Sequence, residues 1–299
     1  MLLGLLYIVL ASVAFGFSPV FATEIMGSGV DAQSLLVYIN AFTALGAAAV
    51  LLIRRIPLKV TRRQLWQLIV FSAGSYGLTE VLLVNSYRFL PIGLATMFHF
   101  IYPVIVTVIM VVFFKEKISI LKISAIIAAL SGLLLILDLS GNLSLQGAAL
   151  AVTSGFAYAS YVVANHKCAY RDLPALVVIF YTALSCGIVF ALFQFVTGRM
   201  MVPPNAASWL LTASSGLVCH LFAILMLISA VRKIGASNAA VGNLLEPMTS
   251  LIAGALIFSE RFPILSLSGC ALVLLAIVLI ALDGRRAPVS VQVKKEMGN

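Results

Sequence analysis

The chain has 299 residues, of which 62% are hydrophobic and only 10% charged, and its formal net charge is +9. Soluble domains run at roughly 45–50% apolar and about 25% charged, so a water-soluble globular protein is excluded. The positive charge is no nucleic-acid footprint, because it lies in short links between apolar runs.

Apolar runs of about 20 residues recur along the whole chain, each long enough to cross a hydrocarbon core of about 30 Å. Backbone amides in lipid must be satisfied within their own segment, so these runs read as helices. The two-residue alternation of a membrane barrel is missing. In chain order the spans are expected at 3–23, 35–53, 65–87, 91–114, 119–138, 145–166, 174–196, 207–230, 236–258 and 263–282. Residues 1–23 lack a basic flank, and Pro19, Thr23 and Glu24 make a poor cleavage site, so this stretch reads as the first span rather than a leader. The links are short and leave no room for a soluble domain. Cys168, Cys186, Cys219 and Cys270 show no paired spacing and read as small core-filling residues.

With ten spans, one set of links carries Arg54, Arg55, Lys59, Arg62, Arg63, Lys115, Lys117, Lys122, Lys167, Arg171, Arg232 and Lys233, and the tail adds Arg285, Arg286, Lys294 and Lys295. The opposite set holds Arg88, Arg199 and Arg261. The positive-inside rule then places both termini in the cytoplasm of a multi-pass protein of the cell (inner) membrane. The basic tail is expected to meet anionic headgroups.

Residues 88–137 and 232–281 align without a gap at an offset of 144. The register matches Arg88 with Arg232, Ala95 with Ala239, Pro103 with Pro247, Glu116 with Glu260 and Ser124 with Ser268. Agreement is looser elsewhere: Gly4 and Gly147 open similar runs, Ala14-Phe15 lines up with Ala157-Tyr158, and Thr43-Ala-Leu45 with Thr182-Ala-Leu184. Five spans per half is an odd number, so the halves insert with opposite orientation. Inverted repeats let a membrane protein open alternately to each side around a midplane site.

Two tandem five-helix halves, each with a proline thirteen residues before a glutamate in its fourth helix (Pro103 to Glu116, Pro247 to Glu260), resemble the EamA-type branch of the drug/metabolite transporter superfamily. The resemblance covers essentially the whole chain. It implies repeats at 1–140 and 145–284, with a basic tail at 285–299. It further implies an all-α polytopic fold of ten transmembrane helices around a central cavity, and export of a small metabolite, amino acid or drug. The chain departs from the pattern in its Lys115-Glu116-Lys117 run and in Tyr102, which stands where the second half has Glu246.

Ionisable groups inside a membrane are costly and usually face a cavity, which makes them the best site candidates. Glu80, His99, His220 and Glu246 lie within spans, and the offset pairs Tyr76 with His220, His99 with Asn243 and Tyr102 with Glu246. Residues three or four apart share a helix face, so Tyr76/Glu80, His99/Tyr102 and Asn243/Glu246 form three polar faces. Glu246 falls about ten residues into its span, roughly 15 Å deep. Tyr38, Tyr158 and Tyr161 serve equally as packing residues or as substrate contacts. Pro103 and Pro247 free a carbonyl one turn earlier, as an acceptor or a pivot. Glu116 and Glu260 are expected at helix ends, bracing the bend into the following span.

These residues point to a secondary transporter whose partners are a small solute, protons and the bilayer, as a monomer or homodimer. The solute is expected to be an amino acid or a related amphipathic compound. A multidrug exporter and an intramembrane enzyme are the alternatives. The three histidines form no HExxH, no GxxxxGK[ST] loop is present, and no aspartate lies well inside a span. Neither catalysis nor a cofactor or metal is therefore expected.

Overall fold

In the computed structural model, residues 2–90, 92–136, 144–258 and 264–286 are described, and every regular element among them is helical. The first half comprises α1 (Leu2–Gly27), α2 (Ala32–Ile53), α3 (Arg62–Ser86), α4 (Ile92–His99 and Tyr102–Val112) and α5 (Ile120–Ile136). The second comprises α6 (Leu145–Lys167), α7 (Ala175–Thr197), α8 (Ala206–Ile234), α9 (Ala236–Gly242 and Leu245–Phe258) and α10 (Ile264–Arg286). Seven segments among the described residues are long and apolar enough to cross a membrane; α5 and α10 contribute the shorter apolar stretches Ile120–Leu135 and Ser268–Ile280. Each expected span thus corresponds to one helical segment, and the chain is an all-α membrane protein of two five-helix repeats.

Local sequence sets the ends. Asp31 caps α2, its carboxylate accepting from the Gln33 and Ser34 amides, and Thr61 and Gln64 form a capping box at the start of α3. Gly198 closes α7 with φ of 62°, and Gly235 links α8 to α9 with φ of 84°, both in the region that favours glycine. Helix α1 continues past its expected end because Pro19 falls in the first turn of its second segment, where a missing amide costs little.

Contacts show that the halves are inverted. Gly4, at the start of α1, packs against Ile234 at the end of α8; a Cβ there would come within 2.4 Å of Ile234 Cγ2. Gly147, at the start of α6, packs in the same way against Leu90 after α3, with a Cβ 2.7 Å from Leu90 Cγ. Leu90 and Ile234 are themselves 144 apart. A second pair repeats the pattern: Thr43 Oγ1 donates to Gly216 O at 2.9 Å, and Thr182 Oγ1 meets Ser72 Oγ at 2.6 Å. Helices α2 and α7 pack together across the molecule, as do α5 and α10, where a Cβ on Gly132 would lie 2.6 Å from Gly269 O.

These contacts define two ends. End A gathers the start of α1, the α2–α3, α4–α5 and α6–α7 links and the α8–α9 turn: Gln64 Nε2 donates to Ala169 O, and Tyr181 Oη donates to Leu58 O. End B gathers the α1–α2 and α3–α4 links and the end of α7, where Gln194 Nε2 donates to Asp31 and Ser34.

Candidate functional site

Three local departures from regular helix surround the centre of the molecule. Helix α4 is interrupted at Phe100–Ile101 and α9 at Asn243–Leu244, each just ahead of a proline that cannot donate an amide. The hydrogen-bond ladder tightens to three-residue steps at both breaks, as in Ile101 N to Phe98 O and Glu246 N to Asn243 O. The third departure is a π-helical stretch in the third helix of each half, Leu68–Gly74 in α3 and Ser215–Phe222 in α8. Such bulges rotate the side chains that follow and concentrate at functional sites. His220 lies in the second of them, its Nδ1 3.2 Å from Ser215 O.

A cavity of about 160 Å³ opens at end B between the last turns of α1, the first turns of α2, the second half of α3 and the start of α4. Its mouth includes Met26, Ala32 and Tyr87; further in stand Tyr76, Glu80, His99, Tyr158, His220 and Glu246. The structure therefore brings together Tyr76, Glu80, His99, His220 and Glu246 on one cavity wall. Tyr102 and Asn243 stand behind that wall, 1% and 0% exposed.

Two carboxylates dominate. Asn40 Nδ2 donates to Glu80 Oε2 at 3.2 Å, and His220 Nε2 lies 3.5 Å from Glu80 Oε1, which is buried without a hydrogen-bond partner. Asn243 Nδ2 donates to Glu246 at 2.9 Å, and Asn243 Oδ1 accepts from Ser12 on α1 at 2.9 Å. The counterpart contact is His99 Nδ1 to Ser154 Oγ on α6 at 2.8 Å. Each paired polar residue of the fourth helices is thus held by a serine on the first helix of the other half. Gly155 allows this approach, since a Cβ there would lie 2.7 Å from His99 O. Tyr161 packs in tilted geometry against Tyr76 and Tyr158, with ring centroids 5.1 and 5.8 Å away, and His99 lies 5.3 Å from Tyr158. Tyr38 instead packs edge-on against Trp209.

Asn40, Ser12 and Ser154 were not singled out from sequence. Their signal was a polar residue inside an apolar run (Asn40 in LVYINAF, Ser12 in VLASVAF), which is weak because serine is common in membrane helices.

End A is closed. Lys122 Nζ contacts Glu116 Oε1 at 2.6 Å, with side-chain exposures of 5% and 29%, and Ser237 donates to the other Glu116 oxygen. Ser119 donates to Asp283, joining α5 to α10. Lys122, assigned to a link from sequence, is in fact in the first turn of α5 and buried. Glu260 and the tail beyond Arg286 lie outside the described residues.

An inverted pair of five-helix repeats around a largely apolar cavity that carries a few ionisable groups defines a polytopic membrane protein of the transporter type. The model of the EamA-like transporter family matches residues 2–138 and again 145–282, so the chain belongs to that family. A solved crystal structure, titled only as that of a protein, is 17% identical with a TM-score of 0.82 over 95% of this chain and 98% of the other. At that identity the likeness concerns the fold. No curated protein matches the chain in sequence.

Proposed function

We propose that the chain is a secondary transporter of the cell (inner) membrane that exports a small metabolite, an amino acid or a related amphipathic compound. It would work by alternating access around the central cavity. The observation that carries this reading is the cavity itself. It lies between inverted halves, is open at end B and closed at end A, and has two carboxylates and several aromatic rings on its wall. The basic links cluster at end A, so the positive-inside rule makes end A and both termini cytoplasmic. The cavity then faces outward.

In this reading Glu80 and Glu246 receive a substrate amine, and Tyr76 and Tyr158 add cation–π attraction. Release of a proton from one carboxylate as substrate binds would couple transport to a pH gradient. Pro103 and Pro247, with the helix breaks before them, serve as pivots, and Glu116 braces the turn from α4 into α5. A volume of about 160 Å³ favours a small solute over a bulky drug, since drug-sized sites span roughly 300–1,000 Å³.

The test is flux in liposomes with amino acids, nucleosides and cationic dyes, with and without a pH gradient. Uptake of one class that falls in Glu80→Gln or Glu246→Gln, with the protein still folded, supports the reading. Failure of every class with folded protein contradicts it. Full flux in both variants would return the two carboxylates to a structural role.

A further inference from the structure

We infer that the cavity selects a protonated amine that carries no carboxylate of its own, such as the decarboxylated form of an aromatic amino acid; this rests on the transport reading and narrows its substrate. Among the described lining residues the ionisable groups are Glu80, Glu246, His99, His220 and Tyr side chains, with no lysine or arginine. An amino acid brings an ammonium and a carboxylate. The ammonium has partners here. The carboxylate has no cationic partner among them.

Three observations carry the ammonium half. Glu80 Oε1 is a buried carboxylate oxygen without a hydrogen-bond partner, on a side chain that lines the cavity. Leaving such an acceptor unpaired is expensive, and an ammonium supplies three donors. His220 does not satisfy it, because 3.5 Å to Nε2 is an ion-pair separation rather than a hydrogen bond. Tyr76, Tyr158 and His99 line the same cavity, giving a cation an aromatic surface and a substrate ring a place to pack.

The anion half fails at each place a carboxylate could go. The second segment of α9 begins in the middle of the molecule, and such half-helix starts hold substrate carboxylates in other transporters. Here Glu246 already occupies that first turn with its own carboxylate. The matching start in α4 is filled by Tyr102 and Pro103, both buried. Arg232 near end A neighbours Tyr161, Tyr170 and Asp172 and does not line the cavity, and Arg88, exposed beside Tyr87 at end B, does not line it either. A second negative charge brought among these groups is repelled rather than bound.

The experiment compares tyramine with tyrosine, which differ only by the α-carboxylate, by calorimetric titration of the purified full-length protein in detergent. The expected result is tyramine binding at least ten-fold tighter, with the preference lost in Glu80→Gln and reduced in Glu246→Gln. Tyrosine binding as tightly as tyramine overturns the inference, and this wild-type comparison holds whether or not either variant folds. The liposome flux screen separates the two levels. A nucleoside or sugar that is transported while tyramine does not bind overturns the amine assignment and leaves transport standing. Tyramine binding with no solute transported supports the binding assignment and removes the transport reading.

Discussion

The two ends of the bundle share a packing frame and differ in their polar groups. Gly4 against Ile234 at end A repeats as Gly147 against Leu90 at end B, so the helix packing that sets the frame is shared. The polar groups differ. Arg232 near end A buries its Nε and one Nη nitrogen, whereas its counterpart Arg88 near end B is exposed. Glu116 is clasped by Lys122 and Ser237, while at end B the last turns of α1 and the first of α2 line the cavity. The shared contacts set the frame, and part of the difference lies in the sequence, where Lys122 and Ser237 match Ser266 and Gly93 in the repeat register. In the proposed transport cycle the inverted repeat would supply the parts for opening the opposite end.

The comparison can be broken most severely by fixing end A. Cysteines at Glu116 and Ser237, whose native side chains meet at 3.2 Å, should be joined by a short, reducible methanethiosulfonate cross-linker in a cysteine-free background. Flux in liposomes should then fall to the protein-free background and return on reduction. A smaller effect is expected from Lys122→Met, which leaves Glu116 without its cation. Breaking a buried pair from one side costs about 3–5 kcal/mol at most, and the partial exposure of Glu116 lowers that figure. A drop in melting temperature that is largely recovered in the double variant Lys122→Met/Glu116→Gln would identify the pair as the cause.

Matched substitutions sharpen the scaffold half of the comparison. Gly4→Val and Gly147→Val should each destabilise by about 1–3 kcal/mol through overpacking, and by similar amounts if the frame is symmetric. Denaturation in mixed micelles measures this; a large difference between the two would show that the ends are framed differently. The smallest effect is expected at Ser12→Ala, which removes the hydrogen bond holding Asn243. The loss is about 1 kcal/mol, read as a several-fold reduction in flux beside the larger one in Glu246→Gln.

Much of the frame was legible in sequence because membrane insertion imposes hydrophobic runs of fixed length, and because duplication leaves charged and proline residues in register. Pro103 and Pro247 marked the neighbourhood of both helix breaks. The π-helical stretches were not legible: LIVFSAG and SGLVCHLF read as ordinary apolar helix, and they pack against α7 and α2, contacts that the local pattern does not encode. The wall of the cavity was legible only in part. Spacing put Tyr102 on the same face as His99 and Asn243 on that of Glu246, but the breaks between or beside them turn Tyr102 and Asn243 behind the wall. The residues that fix the site from the other half, Ser12, Ser154 and Asn40, depend on helix–helix contacts that no local pattern encodes. Buried Lys122 shows the same limit, since its partner Glu116 lies across a turn that hydropathy reads as a link.

Alternating access requires end A to open while substrate moves, and Ser237 reports this directly. It is 1% exposed and sits at the start of α9, and Ser237→Cys is a near-isosteric change. The decisive measurement is the rate at which that cysteine, in a cysteine-free protein, reacts with a membrane-impermeant maleimide added on the end A side during liposome exchange. The account predicts protection without substrate and labelling that rises with the exchange rate. Flux that proceeds at full rate while Ser237→Cys stays protected would contradict it.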